Sequence, residues 1–505
     1  MAFKLKTRVG GEGIRPYPCQ LAVLDDLISW AHDDSAPQFA SLHGYAGTGK
    51  SAVCGFLLRN LIDQHGLDWV RDCVLLLAPT HQACHEAEDK LLQMGVQLKF
   101  ETLARALNMN EKHHPDGSIS FIQKRPPEWN PYIKFVIVDE SSMVNSYCYQ
   151  RLLGALKDVS DARRVMYGLA ETKLLLVGDP RQLPPVKEAL NGSFKDPTFS
   201  THTLSEVVRH DGPILEQCQR VLEVPACRPT FKTVGSGSAV WATGSRQKFE
   251  VRFIEALLEG KNNDQGVDAM ALAYTNRRVK ELTDLGRIAL FGHNPPPFVV
   301  GEVLMSVKPI KQFLESRVTT DQDNLMLAHS NTRMRVCQLR TRKVFPSFLR
   351  ELRTTGYKDV ADALLPNGVR GFRCWEINVV LLGRTVGHTS EATFTVVHSD
   401  DRDEFNAFTR QFASLIRNGA FRDKEKRELW AKYYYPLMAM NAPVQSSLAM
   451  TVYRSQGSTI AHTLVDLADI DQVCARNQRF WNAATYTAIS RASERLSILE
   501  PRLCS

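Results

Sequence analysis

The sequence predicts an α/β protein built on parallel sheets, and three observations predict it. Short apolar runs of strand length recur at Phe39–His43, Val74–Ala78, Phe135–Val138 and Leu174–Val177. Amphipathic helical stretches lie between them, as in Ser51–Gln64 and Gln82–Met94. A second set of apolar runs appears at Ala269–Tyr274 and Thr463–Leu467. Parallel strands need long crossovers, usually helical, so this alternation marks parallel sheets covered on both faces.

The first run ends in Gly44-Tyr-Ala-Gly-Thr-Gly-Lys50-Ser51 and passes into a helical pattern. This is a complete G-x-x-x-x-G-K-S in the strand–loop–helix context that the motif requires. Gly44, Gly47 and Gly49, with Thr48 between them, let backbone N–H groups approach phosphate oxygens, and the helix N-terminus adds positive potential. Lys50 supplies a charge to the β- and γ-phosphates, and the Ser51 hydroxyl is a ligand for Mg²⁺. ATP and Mg²⁺ are the expected cofactors.

Two more strand ends carry acids and amides. Phe135–Val138 runs into Asp139 and Glu140. Asp139 is read as a holder of Mg²⁺, and Glu140 as the group that orients or deprotonates the attacking water. Leu174–Val177 runs into Gly178-Asp-Pro-Arg-Gln182, which places Gln182 to read the γ-phosphate.

Other segments have their own texture. Pro115-Asp116-Gly117 between polar and apolar stretches is a hairpin signal. The Gly- and Ser-rich segment Val234–Gly244 reads as a mobile surface connection. After His293-Asn-Pro-Pro-Pro-Phe298, short strands are expected at Val299–Val307, Thr332–Leu339, Cys374–Leu382 and Ala392–His398. A β-rich domain is therefore expected as an insertion in the second α/β unit. Within it, residues 331–360 hold eight basic and two acidic residues, interleaved with Phe345 and Phe348. That stretch is either a nucleic-acid groove or a solvated charged face.

The bulk properties exclude classes without choosing a function. At about 150 residues per domain, the 505 residues make roughly three units. With 44% hydrophobic and 23% charged residues, the chain is neither disordered, collagenous nor a coiled coil. A net charge of +7 permits a polyanionic partner without demonstrating one. Eleven cysteines, an odd count with no C-x-x-C pair, indicate reduced thiols and a cytoplasmic protein. Met1–Arg8 lacks the apolar core of a signal peptide, and no apolar run reaches 18 residues, so no membrane span is expected. His81, Cys84 and His85 share a helical face but lack a fourth partner, and zinc is not assigned.

The order and spacing of the motifs resemble superfamily 1 helicases over almost the whole chain. After the P-loop, Asp139–Met143 resembles motif II, Gly178–Pro185 motif III, Thr451–Gly457 motif V and Tyr486–Arg491 motif VI. The similarity points to the superfamily 1B, RecD/Dda-type branch and particularly to the phage Dda helicases. Leu204–Arg209, Phe298–Val303 and Val397–Asn406 add to it. The resemblance implies two RecA-like P-loop domains that sandwich ATP. Residues 1–200 would form the first, carrying a β-hairpin pin at 108–134, and residues 201–300 with 441–505 the second, interrupted by an SH3-like domain at 301–440. It further implies that Arg209 and Arg491 are arginine fingers, that Gln20 reads adenine, and that Gly457 lies at the nucleotide.

Nucleic-acid contacts follow from the same resemblance. Thr80 and His81 match motif Ia, Thr102 motif Ib, and Thr275 and Asn276 the corresponding element of the second domain. Thr451, Tyr453 and Arg454 of motif V complete the set. Phe121 sits on the implied pin and either stacks on a terminal base pair or packs the hairpin onto its domain; stacking is worth about 1–3 kcal/mol per base. The chain departs from the family pattern at three places. Tyr453 and Arg454 stand for the common His and Lys, Ala104 ends what is usually Thr-x-His, and Asn331-Thr332 replaces an Asn-Gly turn.

The implied activity is that of an ATP-driven single-stranded-DNA translocase and DNA helicase of 5′–3′ polarity. Implied partners are single-stranded DNA, single-strand/duplex junctions and a single-strand-binding or replication protein. A cytoplasmic monomer is expected, in the host cytoplasm if the source is a phage. Two other readings stay open: an RNA-directed helicase of the same superfamily, and a P-loop nucleotide switch without unwinding.

Overall fold

The computed structural model describes residues 15–113, 119–123, 125–185, 188, 198–207, 212–223, 231–234, 239–260, 269–313, 324–366, 368–382, 391–474 and 476–501. The chain divides into two compact units. One comprises Met1–Phe253, Ala271–Val279 and Met450–Ser505, the other Ile254–Met270 and Lys280–Ala449.

The first unit opens with α1 (Pro18–His32), β1 (Phe39–Gly44), α2 (Lys50–His65), α3 (Leu67–Cys73) and β2 (Val74–Ala78). There follow α4 (His81–Gln93), β3 (Glu101–Thr102), α5 (Leu103–Ala106), and the strands β4 (Met109–His113) and β5 (Ile119–Gln123). Then come β6 (Phe135–Val138), α6 (Ser146–Tyr167), β7 (Lys173–Gly178) and β8 (Ser200–Leu204). Six of the strands make one sheet in the order β3-β2-β6-β7-β1-β8. All its pairs are parallel.

Period-2 alternation explains why these strands are apolar throughout. Ile137, Leu175 and Val177 join the core of α1 and α2, with Leu27, Leu57 and Leu61. Val136, Val138, Leu174 and Leu176 join a second core with Leu152 and Leu156 of α6. Parallel register also sets the site. His43 lies opposite Gly178, and Val138 opposite both Leu176 and Leu77. The P-loop, Asp139–Glu140 and Asp179 therefore leave the sheet along one edge, the carboxyl ends of its strands, where open α/β sheets bind ligands.

Further along run α7 (Pro213–Glu223), β9 (Val240–Thr243), α8 (Arg246–Gly260), β10 (Ala269–Ala273) and α9 (Asn276–Phe291). The second unit contributes β11 (Val303–Ser306), β12 (Ile310–Phe313), β13 (Asn324–Ala328), β14 (Arg333–Val344), α10 (Glu351–Thr354) and α11 (Lys358–Leu364). It continues with β15 (Phe372–Leu381), β16 (Glu391–Val397), α12 (Ser399–Asn418), α13 (Asp423–Glu428), α14 (Tyr435–Ala439) and β17 (Val444–Ser446). The chain ends in β18 (Ala449–Thr451), β19 (Ile460–Asp466), α15 (Leu467–Cys474), α16 (Gln478–Ile489) and β20 (Ala492–Leu499).

A second sheet has the order β18-β10-β19-β20-β9, with β19, β20 and β9 mutually parallel. The edge strand β9 corrects the expectation of a mobile connection at 234–244. Leu496 pairs with Val240, which is wholly buried, and the burial of that one side chain anchors the strand. Residues 235–238 lie outside the described part.

In the second unit, β16-β15-β14-β11-β17 form an antiparallel sheet. Asn331 turns the chain into β14 with φ of 64°, a conformation that Asn tolerates better than most residues. The insertion is not built of strands alone. Phe405, Phe412 and Ile416, spaced for one face of α12, share a core with Leu429, Tyr433 and Leu437. The helical period of that segment, not the strand alternation before it, sets its structure.

Candidate functional site

The P-loop is shaped by its glycines. Gly47 and Gly49 hold φ of 87° and 83°, in the left-handed region. A Cβ on Gly44 would collide with Thr48 Oγ1, so this position has no room for a side chain while Thr48 keeps its place. Thr48 is buried, and its hydroxyl donates to the Tyr45 carbonyl at 2.9 Å. Gln20, in the first turn of α1, donates from Nε2 to the Thr48 carbonyl at 3.0 Å and accepts from the Tyr17 N–H at 3.0 Å. Its amide braces the loop, with both ends engaged inside the protein.

Lys50 Nζ donates to the carbonyls of Gly44 and Tyr45 at 2.8 and 3.0 Å. Burial lowers its pKa from the usual lysine value, opposed by the charges of Asp179, Glu140 and Asp139. Ser51 Oγ donates to Asp139 Oδ2 at 3.3 Å. Burial raises the Asp139 carboxyl and Glu140 adds to the rise, while Lys90, the Glu140 N–H and Lys50 oppose it. A hydroxyl beside a carboxylate is a hard-oxygen pair that fits Mg²⁺.

Glu140 follows with φ of 49°, strained for a residue with a side chain. Its Oε2 is buried without a partner, as is Oε1 of the buried Gln182. Buried acceptors without donors cost about 1–3 kcal/mol each. Both atoms can accept from a water on the phosphate side of the loop.

The second sheet reaches the same edge through residues to which the motifs alone assign no role. Tyr486 in α16 is buried; its hydroxyl accepts from the Ala46 N–H at 2.8 Å and donates to Asp179 Oδ2 at 2.7 Å. Thr487 Oγ1 accepts from the Leu183 N–H at 3.0 Å, and Gln456 Nε2 donates to the Leu183 carbonyl at 3.0 Å. The Gln182 loop is thus held on either side by motifs V and VI. Tyr486→Phe leaves the Ala46 amide and Asp179 each short of one partner, a cost of about 1–3 kcal/mol. Scanning calorimetry of the full chain is expected to show a lower first midpoint. An unchanged midpoint would mean that the hydroxyl does not tie the sheets together.

Arg491, just past α16, is buried and donates to the carbonyls of Thr487 at 3.0 Å and Ser458 at 3.3 Å, and to Ser490 Oγ at 3.0 Å. Arg209 lies outside the described residues. Gly457 needs its glycine, with φ of 81°.

The threonines expected on the strand serve first as caps. Thr80, Thr102 and Thr451 accept through Oγ1 from the N–H groups of Ala83 at 3.2 Å, Arg105 at 3.4 Å and Arg454 at 3.4 Å. Accepting uses a lone pair and leaves each hydroxyl proton to donate to a phosphate. Thr275 differs. Its hydroxyl donates to Asp469 Oδ1 at 2.9 Å, and the N–H groups of Tyr274 and Thr275 both reach Asp469 Oδ2 at 2.8 Å. The proton expected for a phosphate contact is already committed.

His81 and Asn276 are the first residues of α4 and α9. Tyr453 packs edge-on against Tyr274 at 6.0 Å, and Arg454 is half-buried, its pKa lowered by desolvation. On the antiparallel pair β4–β5, the backbone of Phe121 lies opposite Glu111, and its side chain is outside the described part. The basic run is divided between β14 and the helices α10 and α11. Arg342 pairs with Glu376 at 2.8 Å on the sheet, whereas Arg353 is bound to the Leu365 carbonyl among the helices.

Residues 31–225 match the AAA domain family. That AAA-like segment runs from the end of α1 past Gln182 and so contains the whole P-loop edge. The chain is 21% identical over 503 residues to the uncharacterized protein R530 of Acanthamoeba polyphaga mimivirus, covering 91% of this chain and 94% of that one. It is similar in structure to the Pif1 helicase from Candida albicans, at 16% identity and a TM-score of 0.46, covering 96% and 94% of the two chains. A Pif1 helicase from Bacteroides, in complex with ADP-AlF3 and ssDNA, is 13% identical with a TM-score of 0.43, covering 94% and 91%.

No helix among the described residues is long and apolar enough to cross a membrane.

Proposed function

We propose that the chain is a superfamily 1B helicase: an ATP- and Mg²⁺-dependent motor that moves along single-stranded DNA and opens duplexes with 5′–3′ polarity. The observation that carries this reading is the composite nucleotide edge. Tyr486 touches the P-loop, and Gln456 and Thr487 hold the Gln182 loop from the second sheet. A site completed by a second sheet can open and close with the nucleotide, which stepping requires and a simple switch does not. The ordered motifs supply the rest of the support.

In this reading residues 1–200 are the first motor domain with a pin at 108–134, residues 201–300 and 441–505 the second, and 301–440 the inserted SH3-like domain. Lys50 neutralises the phosphates, and Ser51 and Asp139 hold Mg²⁺, which screens the phosphate charge when bound. Glu140 and Gln182 position the attacking water, and Gly457 borders the nucleotide. Arg491, after leaving its resting partners, and Arg209 meet the γ-phosphoryl charge. Thr80, His81, Thr102, Asn276, Thr451, Tyr453 and Arg454 grip the strand, mostly through its phosphates, which position without reading sequence. The motor works as a cytoplasmic monomer, with a single-strand-binding or replication protein as a further partner.

Two assays test the reading. ATP hydrolysis is expected to rise on adding single-stranded DNA and to rise less with single-stranded RNA. A larger rise with RNA would shift the substrate to RNA, and no rise with either would sink the motor. Duplexes with only a 5′ tail are expected to open, and opening of only the 3′-tailed substrate would reverse the polarity.

A further inference from the structure

Helix α4 carries a polar row that none of the motifs contains. Gln82, Glu86 and Lys90 recur at every fourth residue and so share one face. The row begins beside Thr80 and His81, where the strand is proposed to bind, and ends at the metal pair. Lys90 Nζ lies 3.4 Å from Ser51 Oγ. Gln82 Nε2 donates to Glu86 Oε1 at 2.9 Å and to Ser458 Oγ at 2.7 Å. Ser458 in turn accepts from Arg491 through its carbonyl. A Cβ on Gly457 would stand 4.0 Å from Glu86 Oε2, so the row lies directly against motif V.

Two features mark the row as more than a solvated face. Gln82 Oε1 is buried and has no partner. Glu86 is pushed up to about 7, chiefly by burial, with Lys90, Gln82 and Arg491 opposing and Glu140 adding to the rise. A half-satisfied amide beside a poorly solvated acid is costly in a purely structural contact. It is useful where the contact must be remade in another state.

We infer that the Gln82–Glu86–Lys90 row is a positioning relay that couples strand occupancy at the start of α4 to the placement of Arg491. The inference rests on the proposed motor function and deepens it. Strand phosphate at the N-terminus of α4 meets the positive end of the helix. Because α4 moves as one rod, with about 1.5 Å rise per residue, any shift there reaches Gln82 and Lys90 together. Loss of the Gln82–Ser458 bond frees the Ser458 turn and, with it, the carbonyl that holds Arg491.

The test is a double-mutant cycle on the full chain, with Gln82→Ala and Ser458→Ala, using oligo-dT as the strand. Each single variant is expected to cut the stimulation of ATP hydrolysis by the strand about fivefold, the value of one hydrogen bond. The cut comes from a higher rate of hydrolysis without DNA, because Ser458 no longer holds Arg491, while strand affinity and the strand-saturated rate are expected to stay near the wild-type values. The double variant is expected to be no worse than either single one, because both remove the same bond. Glu86→Gln, which keeps an acceptor for Gln82, is expected to retain stimulation that Glu86→Ala loses.

Parallel loss of basal and stimulated rates would show a structural contact and overturn the relay. Normal stimulation in Gln82→Ala would overturn it while leaving the motor intact. A wild-type protein that DNA does not stimulate would remove the motor and the relay together.

Discussion

Lys50→Ala is expected to abolish ATP turnover, lowering the rate at saturating single-stranded DNA by at least about 100-fold. Lys50 is the cation of the loop, held on the Gly44 and Tyr45 carbonyls among Asp179, Glu140 and Asp139. Without it three carboxyl groups face the incoming phosphates with one fewer compensating charge. Lys50→Arg should not restore turnover, because the planar guanidinium cannot replace a compact ammonium in a glycine-walled loop. Phosphate release measures the loss, and fluorescence anisotropy of labelled oligo-dT checks that strand binding persists. Retained turnover would place hydrolysis elsewhere in the chain.

Glu140→Gln is expected to leave ATP bound but uncleaved. The substitution keeps size and hydrogen-bonding capacity and removes the base, a change worth about 10²- to 10⁴-fold in the chemical step. It also removes the like charge that raises Asp139. ATP with Mg²⁺ should therefore bind at least as tightly as in the wild type. Rapid-quench single-turnover hydrolysis, paired with equilibrium binding of a fluorescent nucleotide, separates the two steps. Equal losses of binding and cleavage would make Glu140 a binding residue instead of the water-activating one.

How much of this was legible depends on how local the information is. The P-loop and Asp139–Glu140 could be read because a strand, a glycine turn and a helix N-terminus follow one another within a few residues. The strands of the first sheet were legible for a related reason: burial on both faces makes them continuously apolar. The edge strand β9 was hidden because only four residues pair, next to a Gly- and Ser-rich stretch. The expectation of a β-rich domain rests on strands that end at His398 and leaves Phe405–Ile416, whose own period is helical, without a separate reading.

The site divides along the same line. The candidate role of Thr275 came from motif position, yet Asp469 takes its hydroxyl proton from 194 residues away. Gln20 is a P-loop brace because α1 delivers it to Thr48, 28 residues on. The face of α4 that drew attention was His81, Cys84 and His85, whereas the face that meets motif V is Gln82, Glu86 and Lys90. Spacing marks both faces equally; only the neighbour that covers one of them tells them apart.

Sequence by itself determined the class of the protein, the phosphate loop, the acids at the strand ends and the order of the motifs. Each of these is written in short-range periodicity and in residue types that only certain backbone positions accept. Tertiary structure alone decided how the site is completed. Tyr486 meets Ala46 across 440 residues, and Gln456 meets Leu183 across 273. Such pairs leave no local trace, because a hydroxyl or an amide commits to a partner only after two sheets have folded and brought their edges together.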